Sequence, residues 1–461
     1  MKIAVCSSEV VPYAKTGGLA DVAGALPQAL EKEGEDVIII MPKYKGIENK
    51  FKLSKAPDNV VYAPLGKKIK VYFIENDAYF NRDSLYGTKT GDYKDNLDRF
   101  SYYSRKALRL LKEIKFKADI IHVHDWQASL IPVYLKTLFP EDSFYTDMRT
   151  LLTIHNMGYQ GIFPEVEFPR LGLDWDLFSV EGLEFFGRVN ILKGGMIFSD
   201  IINTVSPTYS KEIQTKQFGF GLEGVLNERK ESLFGILNGL DYSIWSPETD
   251  KFIASTFSVK SPEGKLKDKE ALQKICSLPI NKDIPLIGMV SRLAEPKGFD
   301  IICEGIDEIC RMKVQMVILG TGDKKYHEIL TRIVRKYPKA VSLNLRFDDP
   351  LAHKIYAGSD IFLMPSNYEP CGLGQLIAFK YGSIPLVFKT GGLADTVNKE
   401  NGFVFDVYNK DVLIETIGQA ASLFQNKKIW SSLVKNAMQL EFSWGRSAKK
   451  YLELYAKAKA R

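Results

Sequence analysis

An eight-residue segment occurs twice in this chain, once near each end. Residues 15–22 are Lys-Thr-Gly-Gly-Leu-Ala-Asp-Val, and residues 389–396 repeat them with one change, threonine for the final valine. Each copy follows a short apolar run and opens a stretch with helical apolar spacing, which predicts a strand, a glycine-rich turn and a helix start. Such turns direct backbone N–H groups and a helix dipole toward an anion. The repeat therefore predicts two similar α/β halves that face a shared ligand.

The first half of the chain alternates between predicted strands and helices. β-Branched runs predict strands over residues 2–6, 36–41, 70–74, 119–123, 150–154 and 201–205. Helical spacing occurs between several of them, over residues 19–32, 98–114 and 127–138. Strands that alternate with helices in this way form a mostly parallel, doubly wound sheet.

A polar stretch at residues 245–265 interrupts this alternation. Strands then resume over residues 286–290, 314–319, 341–345, 361–364 and 384–388. A chain of 461 residues is too long for a single core. We therefore predict one Rossmann-like domain over residues 1–242, a second over 243–442, and a terminal helix over 443–461 that packs back on the first domain.

Composition narrows the class of ligand and the compartment. The 62 basic and 56 acidic residues are interleaved along the chain, so the net charge of +6 favours an anionic ligand over a nucleic acid. The five cysteines include no C-x-x-C pair, which predicts neither a disulfide framework nor a thiolate metal site. No apolar run approaches the roughly 20 residues needed to span a bilayer, and the first predicted strand directly follows Met1. We expect a soluble protein of the cytoplasm that binds no membrane.

Charged groups beside the predicted glycine-rich turns are the candidates for anion binding. Lys15 precedes Gly17 and Gly18, whose missing side chains let the backbone approach a phosphate closely. Arg292 and Lys297 follow a predicted strand, at the sheet edge where open α/β sheets bind ligands. The alternatives are a tight turn with a solvated lysine in the first case and two surface cations in the second.

The segment from Pro365 to Gln375 has the most specific pattern. It links the strand at 361–364 to a helix that we predict to begin near Gly372, whose N–H groups would suit a diphosphate. The Glu369 carboxylate either accepts hydrogen bonds from sugar hydroxyls or caps the helix. Cys371 is either a nucleophile with a lowered pKa or, as we favour, a residue that packs or lines the ligand.

Two further strands end in polar residues. His122, His124 and Asp125 end one, and His155 and Asn156 end the next. We predict that Asp125 faces the ligand and that His122 and His124 are structural, because a zinc site would need a third ligand. A single histidine such as His155 is usually structural, but its position at a strand end would bring it near Lys15.

The motifs together resemble those of the bacterial glycogen synthases, retaining glucosyltransferases that are similar to plant starch synthases. In family order they are K-T-G-G-L-A-D-V at 15–22, H-V-H-D-W at 122–126, T-I-H-N at 153–156, T-V-S-P-T-Y at 204–209, G-I-L-N-G-L-D at 235–241, S-R-L with K-G at 291–298, L-G-T-G-D at 319–323 and E-P-C-G-L at 369–373. The resemblance implies the two-domain GT-B fold, with substrates in the interdomain cleft. It also implies transfer of glucose from a nucleotide sugar, ADP-glucose, to the non-reducing end of an α-1,4-glucan, with no metal or resident cofactor.

The resemblance also implies a role for each matching residue. Arg292, Lys297 and Lys15 would neutralise the diphosphate, Glu369 would hold the donor glucose hydroxyls, and His155 would line the glucose site. The other donor-side positions are Gly17, Gly18, Asp21, Asn156, Phe347, Cys371, Gly372, Leu373 and Gly374. The acceptor-side positions are Asp125, Tyr93 and Asn238.

Three positions depart from patterns in related enzymes. Ile377 replaces the second glutamate of many sucrose- and lipid-sugar transferases, Gly374 stands where bacterial relatives often have threonine, and Phe347 stands where tyrosine is common. The alternatives to a glycogen synthase are a glucan-binding relative with weak catalysis and a GT-B glycosyltransferase with a small acceptor. The sequence does not decide whether the donor is ADP-glucose or UDP-glucose. It also leaves the oligomeric state open.

Overall fold

The computed structural model describes residues 1–461 and divides the chain into two compact units. The first unit comprises Met1–Gly239 and Trp444–Arg461, and the second comprises Leu240–Ser443. The boundaries predicted after residues 242 and 442 fall beside the observed ones. None of the helices combines the length and apolar character that crossing a lipid bilayer requires.

The first unit is built on a nine-stranded sheet. Its strands and those of two small accessory sheets are β1 (Lys2–Cys6), β2 (Asp36–Pro42), β3 (Ser54–Ala56), β4 (Val60–Leu65), β5 (Ile69–Ile74), β6 (Gly87–Thr88), β7 (Gly91–Asp92), β8 (Ile120–His124), β9 (Arg149–Ile154), β10 (Ile162–Pro164), β11 (Glu184–Phe185), β12 (Arg188–Asn190), β13 (Ile201–Thr204) and β14 (Leu233–Gly235). The large sheet has the order β14-β13-β9-β8-β1-β2-β5-β4-β3. All of its pairs are parallel except β4 with β5 and β3 with β4.

Helices cover this sheet because their apolar faces match its buried strands. They are α1 (Gly18–Lys32), α2 (Ile47–Lys50), α3 (Asp77–Phe80), α4 (Asn96–Glu113), α5 (Asp125–Ala128), α6 (Leu130–Thr137), α7 (Ile191–Phe198), α8 (Pro207–Glu212) and α9 (Glu223–Glu228), with short 3-10 helices at Glu165–Leu171, Trp175–Leu177 and Lys230–Ser232. The helix predicted over 127–138 is divided into α5 and α6. Pro132 has no N–H to donate to the fourth residue before it, Ala128, where α5 ends.

The second unit is built on a sheet of six parallel strands. They are β15 (Leu286–Val290), β16 (Gln315–Leu319), β17 (Val341–Asn344), β18 (Ile361–Met364), β19 (Ile384–Phe388) and β20 (Phe403–Phe405). Their order is β17-β16-β15-β18-β19-β20, so the chain reverses its direction of travel across the sheet between β15 and β18. Ligands of doubly wound sheets bind beside the carboxyl ends of strands at such a reversal.

The helices of the second unit follow its strands in turn. They are α10 (Gly264–Ile275), α11 (Phe299–Arg311), α12 (Lys324–Lys336), α13 (Asp349–Gly358), α14 (Gly374–Lys380), α15 (Gly391–Thr396), α16 (Lys410–Gln425) and α17 (Lys427–Met438), with a 3-10 helix at Glu295–Lys297. The apolar core of this unit is formed mainly by the six strands and the helices that pack against them.

The terminal helix α18 (Trp444–Lys459) belongs to the first unit. The Tyr455 hydroxyl lies 2.8 Å from Nδ1 of His122, and Nδ2 of Asn203 donates to the Tyr451 hydroxyl at 3.1 Å. These side chains are buried, so the hydrogen bonds satisfy polar groups that would otherwise be stranded in the core.

Candidate active site

The predicted cations of the second unit lie at the reversal point of its sheet. Arg292 follows β15 and Glu369 follows β18, the two neighbouring central strands. A pocket of about 210 Å³ opens there. It is lined by Met289, Val290, Ser291, Arg292, Lys297, Tyr356, Leu363, Met364, Ser366, Glu369, Leu373 and Gly374. The structure thus brings together five of the predicted donor-side residues, Arg292, Lys297, Glu369, Leu373 and Gly374.

An ion pair joins the two groups of this pocket with the clearest chemical roles. Lys297 Nζ donates to Oε2 of Glu369 at 2.6 Å, and both side chains are largely buried. A lysine and a carboxylate in contact within a small pocket can bind an anion and a sugar hydroxyl side by side. Lys297 is therefore an ion-paired side chain of the pocket.

The loop after Glu369 presents backbone groups to the same pocket. Helix α14 begins at Gly374, two residues later than predicted, because Gly372 has a φ of 71° and therefore lies outside the right-handed helical region. The N-cap residue Leu373 makes no side-chain capping hydrogen bond. The first N–H groups of α14 therefore have no capping partner from Leu373. Cys371 is buried.

The second copy of the repeated segment supports this loop from behind. A Cβ added at Gly391 would lie 2.1 Å from the carbonyl oxygen of Glu369, and one at Gly392 would lie 2.0 Å from that of Cys371. The N–H of Gly392 donates to the carbonyl oxygens of Glu369 and Pro370 at 3.2 Å. These two glycines let the backbone pack directly against the loop that carries Glu369.

We expect Gly392→Ala to destabilise the protein and reduce its activity. The new methyl group would overlap a backbone oxygen, and such overpacking costs roughly 1–3 kcal/mol. Thermal unfolding and initial rates measure the two effects. Gly18→Ala is the matched control for the unfolding temperature alone, because the corresponding glycine of the first copy has no atom within 4 Å of an added Cβ. Equal unfolding temperatures for the two variants would contradict this account.

Two polar residues of the pocket were given no role in the sequence analysis. Tyr356 lies within α13 and is buried, and burial together with the negative charge of Glu369 raises the pKa of its phenol. Ser366 follows β18 and is also buried. Tyr356 has the apolar spacing of a core residue, so its sequence pattern gives no sign of a ligand. The position of Ser366 just after a strand is a signal that was available.

Phe347 is not among the residues that line this pocket. It follows β17, which lies two strands from β15, and its side chain is 91% exposed. Two strand spacings amount to about 10 Å along the sheet edge. An exposed ring at that distance remains available to a nucleotide base, while the pocket itself is of a size for phosphate and sugar groups.

The candidates of the first unit also gather at a reversal point, between β1 and β8. The connection from β1 to α1 is held by Glu9, a buried residue that the sequence analysis missed. Its carboxylate accepts hydrogen bonds from the hydroxyl of Thr16 at 2.6 Å, from the N–H groups of Thr16 and Gly17, and from the Tyr86 hydroxyl at 2.6 Å. Glu9 lies just past the end of β1, and this position could have indicated that it is a candidate site residue.

Lys15 lies near the end of this loop, three residues before α1 begins. Its Nζ donates to Oδ1 of Asp21 at 2.7 Å, and about half of the lysine side chain is exposed. No atom lies within 4 Å of a Cβ built on Gly17 or Gly18, so the space beside the two glycines is open. The loop can therefore accept a ligand against its backbone.

Asp125 and His155 lie beside each other at the ends of β8 and β9. Asp125 has a φ of 53°, and its Oδ1 accepts a hydrogen bond from the His155 N–H at 2.7 Å. Burial, with a smaller contribution from the charge of Glu9, raises the pKa of Asp125 to about 7. Nε2 of His155 lies 2.9 Å from Nδ1 of His124, and burial lowers the pKa of His155 to about 3. A neutral His155 is thus a hydrogen-bonding group.

We expect Asp125→Asn to stabilise the protein at pH 8 by roughly 1–3 kcal/mol. The folded-state pKa is raised above the unfolded value near 4, so the unfolded state binds fewer protons between pH 4 and 7. The stabilising contribution of the protonated carboxyl is therefore lost as pH rises through 7. Denaturant unfolding at pH 8 and pH 4.5 tests this, since the gain should shrink at the lower pH. An equal increase in the free energy of unfolding at pH 8 and at pH 4.5 would point to a cause other than the charge of the carboxylate.

The remaining first-unit candidates occupy separate surroundings. The guanidinium carbons of Arg82 and Arg99 lie 4.7 and 5.1 Å from the centre of the Tyr93 ring. The backbone N–H of Tyr93 donates to the carbonyl oxygen of Tyr86. Asn238 is buried, and its Oδ1 has no hydrogen-bond partner. Such an oxygen is suited to a ligand hydroxyl.

The histidine pair on β8 has structural contacts. Nε2 of His122 lies 2.7 Å from the Thr153 hydroxyl, and the His122 and His124 rings lie 4.2 Å apart. No group of three or more His, Cys, Asp and Glu side chains in the chain is arranged to hold a metal ion.

Comparison with known protein families assigns each half of the chain. Residues 2–228 match the model of the starch synthase catalytic domain, and residues 272–439 match that of group 1 glycosyl transferases. Glycogen synthases of Geotalea daltonii and Thermosipho melanesiensis are each 47% identical to this chain. The alignments cover 99% of the chain in both cases, with 98% and 99% of the relatives respectively.

Solved structures show the same relationship. The catalytic domain of starch synthase IV from Arabidopsis thaliana, bound to ADP and acarbose, is 34% identical, with a TM-score of 0.89 over 100% of this chain and 99% of that one. Sucrose-phosphate synthase from Thermosynechococcus elongatus is 17% identical, with a TM-score of 0.63 over 100% and 99% of the two chains, and shares the fold alone. These similarities confirm the predicted fold of two parallel-sheet α/β units.

Proposed function

The chain belongs to the glycogen synthase family of GT-B glycosyltransferases, and from this premise we propose that it transfers glucose from ADP-glucose to the non-reducing end of an α-1,4-glucan, with retention of configuration. Membership of this family makes it a glycosyltransferase, as the sequence predicted. The donor nucleotide, the stereochemistry and the roles of individual residues belong to the proposal.

One observation carries the proposal: Arg292, Lys297 and Glu369 converge at the reversal point of the second sheet. Cleavage of a sugar–phosphate bond becomes easy once the negative charge of the departing diphosphate is stabilised. Arg292 offers two donors to phosphate oxygens, and Lys297 adds a point charge. In the proposed donor complex Lys297 turns toward phosphate, and the Glu369 carboxylate accepts hydrogen bonds from the glucose hydroxyls.

The first unit supplies the groups that meet the transferred glucose and the acceptor. In the proposal Lys15 adds a charge to the diphosphate, His155 and Asn156 hold the glucose, and Asp125 and Asn238 lie toward the acceptor. The neutral state of His155 supports a hydrogen-bonding role, because a buried neutral imidazole can both donate and accept.

The proposed reaction needs no carboxylate nucleophile. The bond between glucose C1 and the phosphate oxygen breaks while a bond forms from C1 to a hydroxyl oxygen of the acceptor. The proton of that hydroxyl passes to the departing phosphate oxygen on the same face, which retains the configuration. Cationic side chains and backbone N–H groups stabilise the diphosphate, so we propose no metal ion or resident cofactor. Water must be excluded, because it would otherwise attack the same carbon.

ADP-glucose is the proposed donor because the related starch synthase IV structure holds ADP. The exposed Phe347 ring can stack on the adenine base. The cytoplasm is the proposed location, since five free cysteines suit a reducing compartment.

A parallel assay of both donors tests the function. Purified protein with glycogen is supplied with ADP-glucose or UDP-glucose, and nucleotide release is measured with glycogen, maltose and glucose as acceptors. We expect ADP release with glycogen, and little UDP release. Turnover confined to glucose or maltose would instead indicate a small-acceptor enzyme, and glycogen co-sedimentation without turnover would indicate a catalytically weak glucan-binding relative.

A further inference from the structure

Tyr356 is a buried residue of the second unit whose hydroxyl has no partner in the protein. It is 4% exposed and lines the pocket of about 210 Å³ that also contains Arg292, Lys297 and Glu369, which we call the donor pocket. The phenol makes no hydrogen bond to another residue. Buried polar groups nearly always have a hydrogen-bond partner. A buried hydroxyl that lines a pocket and lacks such a partner is therefore a candidate to bind a ligand.

A neighbouring tyrosine of the same unit shows the usual arrangement. The Tyr381 ring lies 6.4 Å from the Tyr356 ring and is also buried. The Tyr381 hydroxyl donates to Oδ2 of Asp250 at 2.5 Å, and Tyr381 does not line the donor pocket. The protein thus supplies a partner for the phenol in the core, and leaves the phenol in the donor pocket to be paired by what binds there.

Aromatic packing fixes the position of the Tyr356 ring. The ring stacks on Phe362, with 4.6 Å between the ring centres, and the Trp245 ring meets it nearly at a right angle at 5.4 Å. Trp245 stacks in turn on His353 at 4.0 Å, and Nδ1 of His353 lies 2.6 Å from Oδ2 of Asp250. A side chain that is held in place before binding loses little conformational entropy when a ligand binds.

The groups around the Tyr356 hydroxyl indicate which ligand atom it suits. Burial and the negative charge of Glu369 raise the pKa of Tyr356, so the phenol stays protonated and can donate a hydrogen bond. Arg292 and Lys297 of the same pocket have donor groups only. An oxygen that accepts from all three side chains is best a charged one, because hydrogen bonds to charged oxygens are stronger than those to neutral sugar hydroxyls. A phosphate oxygen has this character.

We infer that the Tyr356 hydroxyl binds a phosphate oxygen of the nucleoside diphosphate in the donor. This inference rests on the proposed function, in which Arg292 and Lys297 neutralise the same diphosphate. It adds a neutral hydrogen-bond donor to the two cations, from helix α13, which carries none of the residues assigned to the donor so far. Negative charge grows on the diphosphate as the sugar–phosphate bond breaks, so this hydrogen bond strengthens in the transition state.

Tyr356→Phe tests the inference, because it removes the hydroxyl and keeps the ring that packs on Phe362 and Trp245. We expect the dissociation constants of ADP and of inorganic pyrophosphate, from isothermal titration calorimetry, to rise about tenfold each. We expect kcat/KM for ADP-glucose to fall by at least the same factor. The unfolding temperature of the ligand-free variant should not fall, because the deleted hydroxyl has no partner in the free protein.

Tyr381→Phe is the matched control, since it deletes a buried phenol hydroxyl whose partner is Asp250. We expect the opposite pattern for this variant. Its unfolding temperature should fall, because the buried carboxylate of Asp250 loses a hydrogen bond, while the dissociation constant of ADP stays at the wild-type value. A Tyr356→Phe variant that shows this same pattern would overturn the inference, because its hydroxyl would then have a structural role.

Binding measurements also separate a phosphate contact from other contacts. Equal ADP binding by wild type and Tyr356→Phe would overturn the inference, and so would weaker ADP binding with unchanged pyrophosphate binding, which would place the hydroxyl against the ribose. A loss confined to ADP-glucose would place it against glucose and overturn the inference as well. A wild type that binds ADP but transfers no glucose fails the proposed function, whereas weaker binding of ADP and pyrophosphate by Tyr356→Phe would still support the phosphate contact.

Discussion

Glu369→Gln is expected to lower kcat/KM by about a thousandfold, with little change in fold. The substitution keeps the size of the side chain but removes the charge that pairs with Lys297 and that would accept hydrogen bonds from donor hydroxyls. These hydrogen bonds strengthen as positive charge develops on the glucose ring, so most of the loss should appear in kcat. Steady-state rates of ADP release with ADP-glucose and glycogen measure the effect.

The control for this prediction is Glu308→Gln on the same unit. Glu308 is a surface carboxylate that pairs with Lys410 at 3.2 Å. An exposed pair of this kind contributes about 0–1 kcal/mol to stability. We expect its activity to remain at the wild-type level. A Glu369→Gln enzyme within tenfold of wild type would contradict the assigned role of Glu369.

Lys15→Ala is expected to lower kcat by about a hundredfold or more while KM for ADP-glucose changes little. In the proposed reaction Lys15 meets the diphosphate as negative charge develops on it, and the other cations already hold the donor in the ground state. The expected loss is thus one of transition-state stabilisation. Full saturation curves in ADP-glucose separate the two constants.

Lys45→Ala is the matched control for Lys15→Ala. Both lysines belong to the first unit, both are about half exposed, and each pairs with one aspartate, Lys15 with Asp21 at 2.7 Å and Lys45 with Asp83 at 2.6 Å. We expect Lys45→Ala to behave as wild type. A Lys15→Ala variant in which only KM for ADP-glucose rises would show that Lys15 binds the donor in the ground state and not the transition state.

Local patterns predicted the elements of the fold well. The strands β1, β15, β18 and β19 have the predicted bounds, because each is a short apolar run closed by turn residues. The short antiparallel strands β3 and β4 at the sheet edge and the β10–β12 sheet went unpredicted. Such strands are short and partly exposed, so their sequences have no strong apolar signal.

The candidate site was predictable where charged residues follow strands. Arg292, Lys297 and Glu369 met in one pocket because parallel strands end at one edge of a sheet. Tyr356 and Glu9 were missed for a different reason. Tyr356 comes from the middle of a helix, and the role of Glu9 depends on a hydrogen bond to Thr16, seven residues further along the same loop, which no local pattern reveals.

The sequence by itself determined the α/β class, the family and the identity of the charged residues, because apolar spacing and motifs are local properties. Only the tertiary structure decided what each copy of the repeated segment does. The first copy leaves open space beside Gly17 and Gly18, whereas Gly391 and Gly392 of the second copy pack against the loop of Glu369 and Cys371. The two copies have the same glycines but different surroundings, because residues distant in sequence pack against the second copy and leave the first one open.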